Sequence, residues 1–381
     1  MRSFEKYLLA LVAVSLLGLP PRGWSQEPVP GTFTTIDFPG AVDTVECCSA
    51  ILNINDEGQI VGGYMDAMGT GHGFLLKGGT FTTIDFPGAV YTEALGINAR
   101  GQIVGEYIDA IKMASHGFLL TRRGFTTVDP PGAINSYINW INQQGDMVGG
   151  YMDMDGSFHG VLVSRGAFMT IDFPGASNTF GLGINSKGEI VGGYVDSAGL
   201  NLHGFRMSNG KFNSFDFPGS NTNLSACGGL GGGVSYTDGI NGEGAIVGGY
   251  CGADGHLHGF LLSRKEMGDA EDGGASTDIG VFSTIDFPGA ISSFASGINS
   301  EGKIVGGYQS ADGHYHGFLL NRDQERFSSL GQPETGNENA NSATLSDRAS
   351  RLHNALPENV RSVLRQRLHL GRFGIRLMDQ Q

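Results

Sequence analysis

The sequence predicts an all-β fold, a six-bladed β-propeller of four-stranded antiparallel blades, closed by its N-terminal strand and followed by a short C-terminal helical tail. Three observations lead to this prediction. One unit is repeated six times, its length suits a four-stranded blade, and turn residues separate four short apolar runs in each copy. The His-Gly pairs that mark the copies are 44, 43, 44, 55 and 58 residues apart. They begin at His72, His116, His159, His203, His258 and His316.

The strand order within a blade follows from apolar patterning. In one copy the motifs are Phe81-Thr-Thr-Ile-Asp, Gly96-Ile-Asn, Ile103-Val-Gly and His116-Gly-Phe. The last three are nearly continuous apolar runs, which are typical of strands covered on both faces. The Thr-rich first motif alternates and suits a half-exposed outer strand. We therefore order each blade from the axis outwards as Ile-Asn, Ile-Val-Gly, His-Gly-Phe and Thr-Thr-Ile-Asp.

The phasing of the motifs predicts how the ring closes. The chain begins with an outer-strand motif at Phe33, whereas the sixth copy ends at Leu320 without a strong one. We expect the N-terminal strand to complete the last blade, which leaves no open edge. A competing outer strand is the worn motif at 326–330.

The N-terminal residues 1–26 have the pattern of a secretory signal peptide. Arg2 and Lys6 precede the apolar run 8–17, which is short for a membrane span. We predict a cleaved signal peptide and a secreted protein, extracellular or periplasmic, with no transmembrane helix in the mature chain. An uncleaved N-terminal anchor is the alternative.

The charge distribution bears on partners. Residues 27–330 carry 14 Lys and Arg against 32 Asp and Glu, so nucleic acid is not an expected partner. The polar stretch 331–344 resembles a linker. In 345–376, Leu and Val recur at helical spacing among arginines, which predicts a basic amphipathic helical tail that docks on the acidic propeller or on a partner. A disordered tail and binding to a membrane surface are the alternatives.

The repeat resembles a bacterial extracellular repeat family named for its His-Ala-Phe tripeptide. The resemblance covers roughly residues 31–322 and is carried by Gly-Ile-Asn-x-x-Gly-x-Ile-Val-Gly followed by His-Gly-Phe-Leu-Leu. Gly replaces the family's Ala, as at Gly73 and Gly117, and Val161 replaces one Phe. The resemblance implies a secreted β-propeller-like repeat protein of unsettled function, and it supplies no catalytic residues.

A binding rim is predicted on the face that carries the crossovers between blades. Two crossovers are long, from Pro39 to Asn53 and from Pro218 to Gly239, and loops on a rigid scaffold often carry function. Tolerated surface insertions are the alternative. The aspartates that follow the second strand of each copy also lie on this rim but lack the ligand spacing of a dedicated calcium loop, so we expect no cofactor beyond weak structural Ca²⁺. The rim candidates are Asp66, Asp109, Asp153, Asp196, Asp254, Asp312 and Tyr236.

Other polar residues of the repeat have structural interpretations. In an exported protein, Cys227 and Cys251 are disulfide candidates, as are Cys47 and Cys48, although four cysteines permit three pairings. The repeated aspartate of Ile-Asp-Phe-Pro-Gly is expected to accept hydrogen bonds from the following turn. Structural histidines are expected, and the weak candidates for a zinc or copper site are His256, His258, His314 and His316.

No motif in the chain predicts catalysis. We therefore favour a secreted, monomeric, non-enzymatic scaffold that binds a carbohydrate, a protein or an envelope component through its crossover-loop face. One alternative is an extracellular polysaccharide hydrolase or lyase that uses rim carboxylates, although no pair of acids can be nominated. The other alternative is a purely structural cell-surface protein.

Overall fold

A computed structural model describes residues 24–41, 50–223, 227, 236–263 and 280–322. Within these ranges the chain forms β-strands and no α-helix. Residues 1–23 of the predicted signal peptide, the polar linker, the predicted helical tail, the competing strand at 326–330, and Cys47 and Cys48 lie outside the described residues.

The strands form an all-β propeller of antiparallel four-stranded meanders. Two strands precede the first meander, β1 (Trp24–Pro28) and β2 (Thr32–Ile36). Meander 1 contains β3 (Ala50–Ile54), β4 (Ile60–Met65), β5 (Gly71–Lys77) and β6 (Thr80–Ile84); meander 2 contains β7 (Ala89–Ile97), β8 (Ile103–Asp109), β9 (Ser115–Thr121) and β10 (Gly124–Thr127); meander 3 contains β11 (Asn135–Ile141), β12 (Met147–Met152), β13 (Phe158–Ser164) and β14 (Ala167–Ile171). Meander 4 contains β15 (Asn178–Ile184), β16 (Ile190–Val195), β17 (Leu202–Ser208) and β18 (Lys211–Phe215); meander 5 contains β19 (Tyr236–Ile240), β20 (Ile246–Cys251), β21 (Leu257–Ser263) and β22 (Val281–Ile285); meander 6 contains β23 (Ser292–Ile298), β24 (Ile304–Gln309) and β25 (Tyr315–Asn321), with β2 as its fourth strand.

Hydrogen bonding does not divide these strands into six separate blades. It groups the described strands into three four-stranded sheets, one five-stranded sheet and one eight-stranded sheet. The eight-stranded sheet consists of meanders 1 and 2, joined at a single parallel pair between Gly71 and Tyr91. The predicted strand order within a meander, with Ile-Asn innermost and Thr-Thr-Ile-Asp outermost, agrees with the observed pairing.

The N-terminal strand pairs with the last meander, as predicted. β2 runs antiparallel to β25, with Thr32 opposite Asn321 and Ile36 opposite Gly317. Phe33 supports this pairing because its ring meets those of Phe287 and Phe318 edge-on, with centroids 5.3 Å away in both cases. β2 therefore holds the two ends of the repeat region together.

The asparagines of the Ile-Asn pairs link each meander to the next. In meander 1, the Asn55 Oδ1 accepts a hydrogen bond from the backbone N–H of Gln59, which stabilises the tight turn, as its turn role predicts. Its Nδ2 donates to the carbonyl oxygen of Asn98 at 3.0 Å. The same link recurs until the series returns to its start: Asn98 to Asn142, Asn142 to Asn185, Asn185 to Asn241, Asn241 to Asn299, and Asn299 to Asn55.

The inner strands approach their neighbours so closely that glycine is required beside them. A side chain at Gly192 would place Cβ 2.0 Å from the carbonyl oxygen of Phe180. The equivalent distance from Gly306 to Phe294 is also 2.0 Å. The Phe of His-Gly-Phe fills the space beside this contact and is fully buried, as Phe205 and Phe318 show. The glycine-rich composition therefore reflects packing as well as turns.

One strand was not predicted. β1 runs parallel to the outer strand of meander 5, with Trp24 opposite Phe282. Val29, which follows it, is buried against the core of meander 6. The sequence interpretation missed β1 because residues 24–26 were assigned to the predicted signal peptide.

Candidate functional site

Two faces of the propeller carry different loops. The face that we call the crossover face carries the loops between the second and third strands of each meander and the crossovers to the next meander. The opposite face, the turn face, carries the two tight turns of each meander. The antiparallel order of the strands places all predicted rim aspartates on the crossover face.

The repeated histidine of each meander lies beside aspartate on the crossover face. In meander 1, the His72 Nδ1 lies 2.7 Å from a carboxylate oxygen of Asp85, and its Nε2 lies 3.3 Å from Asp66. In meander 6 the Nδ1 partner is Asp37, which the closing strand supplies at 3.0 Å. The remaining Nδ1 pairs are His116 with Asp129, His159 with Asp172, His203 with Asp216, and His258 with Asp286.

These contacts correct the expected role of the Ile-Asp-Phe-Pro-Gly aspartate. Its partner is the histidine of the adjacent third strand, whereas the turn N–H that was expected to bond it has another acceptor. The backbone N–H of Phe86 donates to the Thr92 hydroxyl at 3.0 Å, and that of Phe173 donates to Thr179. The aspartate and histidine are 13 residues apart in the first meanders. This constant spacing was the sequence signal that could have predicted the pair.

Aromatic stacking explains the other repeated residues nearby. The tyrosine of Gly-Gly-Tyr stacks on the histidine and on a phenylalanine from the preceding crossover. Tyr64 stacks on Phe38 with ring centroids 3.6 Å apart, and His72 follows at 5.1 Å. The Tyr64 hydroxyl also meets the Thr83 hydroxyl at 2.9 Å. The repeated His, Asp, Tyr and Phe thus form one structural cluster between meanders.

The histidine–aspartate contacts shift the protonation of both partners. Hydrogen bonding to Asp286 raises the pKa of His258 to about 8, although burial opposes this. At His72 burial lowers the pKa, but hydrogen bonds to Asp85 and Asp66 outweigh it, so the pKa is raised. The Asp109 carboxylate has a pKa lowered to about 2, chiefly because the backbone N–H of Lys112 donates to it. The crossover face therefore holds carboxylates together with readily protonated imidazoles.

The predicted rim aspartates organise their own loops. The Asp66 Oδ1 accepts hydrogen bonds from the backbone N–H groups of Met68 and Thr70, both at 2.8 Å. The other loop aspartates, Asp109, Asp153, Asp196 and Asp254, also accept from groups within their loops, and Asp312 accepts from the Ser310 hydroxyl. Tyr236 lies in β19 and is only 6% exposed.

The histidines that were predicted as metal candidates contact different aspartates. His258 lies between Asp254 and Asp286, and His316 lies beside Asp37. In the part of the chain that the structure describes, no group of three or more His, Cys, Asp and Glu residues has an arrangement suited to a metal ion. A zinc or copper site at His256, His258, His314 and His316, and weak Ca²⁺ at the rim, stay predictions.

One predicted disulfide is present. Cys227 and Cys251 are bonded, with their Cα atoms 5.9 Å apart. The bond connects the long crossover before meander 5 to the end of that meander's second strand. A disulfide of this kind indicates an oxidising compartment. Within the described residues, no helix has the length and hydrophobicity needed to cross a membrane.

Exposed aliphatic side chains on the crossover face were missed in the sequence. They occupy the loop between the second and third strands in four successive meanders, and we call them the loop tips. They are Met68 (70% exposed), Ile111 (92%), Met154 (84%) and Leu200 (58%). Large apolar residues inside otherwise polar loops were the available signal. Ile134 and Ile291, in two crossovers of the same face, are 43% and 39% exposed.

Charges are also divided between the faces. Among the described residues, Lys112 is the one lysine or arginine in the loops of the crossover face, whereas the turn face carries most of the lysines and arginines. The aspartates of the crossover face are Asp37, Asp66, Asp85, Asp109, Asp129, Asp153, Asp155, Asp172, Asp196, Asp216, Asp254, Asp286 and Asp312. The basic residues of the turn face are Lys77, Arg100, Arg122, Arg123, Arg165, Lys187, Lys211, Lys303 and Arg322.

The propeller axis offers only a small cavity. It opens on the turn face, has a volume of about 80 Å³, and is bordered by the ring of asparagines. Trp140 occupies the floor of this cavity and also borders a second one of about 10 Å³. The ring of Trp140 reaches across to Gly239, where a Cβ would lie 2.9 Å from it. Among the described residues, these cavities have room for a few water molecules.

Comparison with known proteins finds distant similarity to solved structures and no family. No family model matches the chain, so the resemblance to the His-Ala-Phe repeat family is unconfirmed, and no curated protein matches it. Among solved structures, it is similar to a gluconolactonase from Xanthomonas campestris (10% identity, 77% of this chain and 97% of that chain, TM-score 0.42) and a lectin from Aleuria aurantia (12%, 73% and 94%, TM-score 0.42). It is also similar to the β-propeller domain of the Trilobed protease from Pyrococcus furiosus (11%, 75% and 100%, TM-score 0.38).

Proposed function

We propose that this protein is a binding scaffold whose crossover face docks a protein or peptide with basic and aliphatic side chains. The observation that carries the proposal is the exposure of a large aliphatic side chain in the same loop of four successive meanders, with Ile111 and Met154 almost fully exposed. Such side chains offer apolar contacts to a partner that spans several loops. Met, Ile and Leu contact apolar side chains, and the surrounding aspartates favour a basic partner.

This chemistry favours a protein over a carbohydrate. Sugar hydroxyls need hydrogen-bonding groups that are available to a ligand, but the rim carboxylates are already engaged within their loops. Asp66 is bonded to two backbone N–H groups and to His72, and Asp153 has equivalent contacts. The same engagement gives no support to the polysaccharide hydrolase or lyase, which needs two carboxyl groups directed at one glycosidic bond.

The proposal includes a rigid ring of six blades. The six four-stranded meanders would act as the blades, although hydrogen bonding joins two of them into one sheet. Two observations support the closed ring: the asparagine series that returns from Asn299 to Asn55, and the pairing of β2 with β25. A rigid ring keeps the loop tips in fixed positions, which lowers the entropic cost of binding.

The proposal also places the protein outside the cytoplasm. The Cys227–Cys251 disulfide supports an oxidising compartment, and the signal-like residues 1–26 of the sequence support export. Secretion can be tested by N-terminal sequencing of the protein recovered from culture medium and periplasm. We expect a mature N-terminus at or just before Trp24, close to the predicted site, because cleavage beyond Trp24 would shorten β1.

Selection of peptides on the immobilised protein tests the binding function. A random peptide display library is panned on the protein, and the selected peptides are then measured by fluorescence polarisation. We expect basic, aliphatic peptides whose affinity falls roughly tenfold when Met68, Met154 and Leu200 are replaced by Ser. Met169→Ser is the matched control, because Met169 is 47% exposed but lies on an outer strand.

Three results would contradict the proposal. The first is selection of no peptide above background. The second is equal binding to the loop-tip variant and to wild type. The third is a glycan on a glycan array that binds both proteins alike, which would favour the carbohydrate alternative. Absence of any binder would favour a purely structural protein.

A further inference from the structure

We propose that the C-terminal segment 345–376 of this chain docks on the crossover face and covers the loop tips. This inference deepens the proposed function, because it names a ligand for that surface within the same chain. The segment follows the last described residue, Arg322, by the 22 residues 323–344. Three properties of the chain carry the inference: charge, apolar content and reach.

The charges of the segment and the crossover face are complementary. Segment 345–376 contains Asp347 and Glu358 as its acidic residues, against seven arginines. The crossover face presents the thirteen aspartates described above together with histidines, and Lys112 is the single lysine or arginine among its described loop residues. Opposite charges on facing surfaces favour docking in one orientation. The arginines are Arg348, Arg351, Arg361, Arg365, Arg367, Arg372 and Arg376.

The segment also carries apolar residues that can cover the exposed loop tips. Its leucines and valines recur at helical spacing on both sides of Pro357, where a second helix can begin, which predicts an amphipathic strip on a short helical pair. Aliphatic side chains of such a strip would cover Met68, Ile111, Met154 and Leu200, which are more than half exposed. An amphipathic helix laid on an apolar surface is a recurrent mode of peptide recognition. The strip consists of Leu352, Leu356, Val360, Val363, Leu364 and Leu368.

The chain is long enough to bring the segment to the crossover face. β25 runs towards the turn face, so the chain leaves the last strand on the opposite side of the molecule. The seven residues of this strand span about 23 Å, which approximates the distance between the faces. For 22 residues, the random-coil relation gives an average end-to-end length of roughly 26 Å, and a fully extended chain reaches about 75 Å. The linker can therefore pass around the rim.

Electrostatics favour the crossover face over the nearer turn face. Arg322 itself lies on the turn face, together with Lys303, Arg122 and Arg123. The charges of this face are mixed, because its turns also carry acidic residues such as Glu57, Asp146 and Glu301. A segment with an excess of arginine is therefore attracted more strongly by the crossover face. Docking in cis would make the segment a competitor of an external partner, so the affinity for that partner would rise when the segment is removed.

Site-specific photo-cross-linking in the full-length protein tests the inference. A benzoylphenylalanine is introduced at Met154, on a loop tip, and in a second protein at Met169, on the outer strand of meander 3. After irradiation, the monomer band is digested and its cross-linked peptides are identified by mass spectrometry. We expect position 154 to cross-link to peptides within 345–376 roughly tenfold more than position 169, because apolar contact and charge act together there.

A matched pair of charge variants tests the cause. The triple substitution R361S, R365S and R367S should lower the cross-linking yield from position 154 severalfold. Removal of Arg122 and Arg123 from the turn face, as R122S and R123S, should not lower it. High salt should have the same effect as the first variant, because surface charges are screened.

The remaining outcomes overturn the inference. They are equal cross-linking from positions 154 and 169, no cross-link from position 154 to the segment, or cross-links found only in a covalent dimer, which would assign the contact to a second copy. The peptide selection separates this failure from failure of the proposed function. Selected peptides that still depend on the loop tips would leave the binding scaffold intact while this inference fails.

Discussion

Replacement of Asp286 by Asn tests the histidine–aspartate contacts at the best-defined site. The His258 Nδ1 lies 3.0 Å from the Asp286 carboxylate, and the His258 side chain is 22% exposed. Asp286 raises the pKa of His258 from 6.5 to about 8, with a further contribution from Asp254. This separation corresponds to about 2 kcal/mol for the protonated imidazole. Because Asp286 is 44% exposed, we assign about 1 kcal/mol to its share.

The sign of the pH dependence follows from the raised pKa. A group that binds its proton more tightly in the folded state contributes stability that is fully present below its unfolded pKa, here 6.5. That contribution is lost as pH rises through the folded value of about 8. Asp286→Asn should therefore destabilise the protein more at about pH 6 than at about pH 9, by about 1 kcal/mol.

Two measurements check this prediction. Histidine NMR titration should show the His258 midpoint moving down in the variant, and denaturant unfolding at the two pH values should show the difference in free energy. Asp155→Asn is the matched control, since Asp155 is an exposed aspartate of the same face whose described contact is made by its backbone. An unchanged His258 midpoint, or the same pH dependence in Asp286→Asn and Asp155→Asn, would refute the reasoning.

Three further predictions concern the scaffold. Asn55→Ala should lower the free energy of unfolding by about 2 kcal/mol or more, because it leaves backbone groups without partners. Glu57→Ala, in the same turn but exposed, should be neutral, and denaturant titration compares the two variants. Phe33→Ala should cost about 2–4 kcal/mol and speed hydrogen exchange in β25, and unchanged exchange there would contradict closure by β2. Replacing Cys227 and Cys251 together by Ala should cost about 2–4 kcal/mol, and equal stability of the oxidised wild type and this variant would show that the bond constrains nothing.

The scaffold was largely predictable because each copy repeats the same local signals. Apolar runs separated by Asn-x-x-Gly turns predicted the strand order, and the missing outer strand after Leu320 predicted the pairing of β2 with β25. The merging of meanders 1 and 2 was not predictable. It depends on one backbone pair at Gly71, where a Cβ would lie 2.1 Å from the ring of Tyr91.

Side-chain partners were harder to predict than strands because they join residues from different strands or meanders. The Asn98 amide illustrates this: its local role in a turn was predicted, but its bond to the carbonyl of Asn142, 44 residues away, was not. The partner of Asp85 was likewise sought in the following turn and lies instead on the third strand, at His72. Local propensity describes the first type of contact, whereas the second appears only when the sheet has formed.

The distribution of polar contacts indicates where function can lie in such a repeat protein. Residues that recur in the copies, such as His72 and Asp85, are engaged with one another and maintain the fold. A residue of the same loop that differs among copies has no such constraint. Met154 and Leu200 have this character, because the loops that hold them share the aspartate contacts while their tips project into solvent. Replacing a loop tip should therefore alter binding with little effect on stability, whereas replacing a recurring residue should alter stability first.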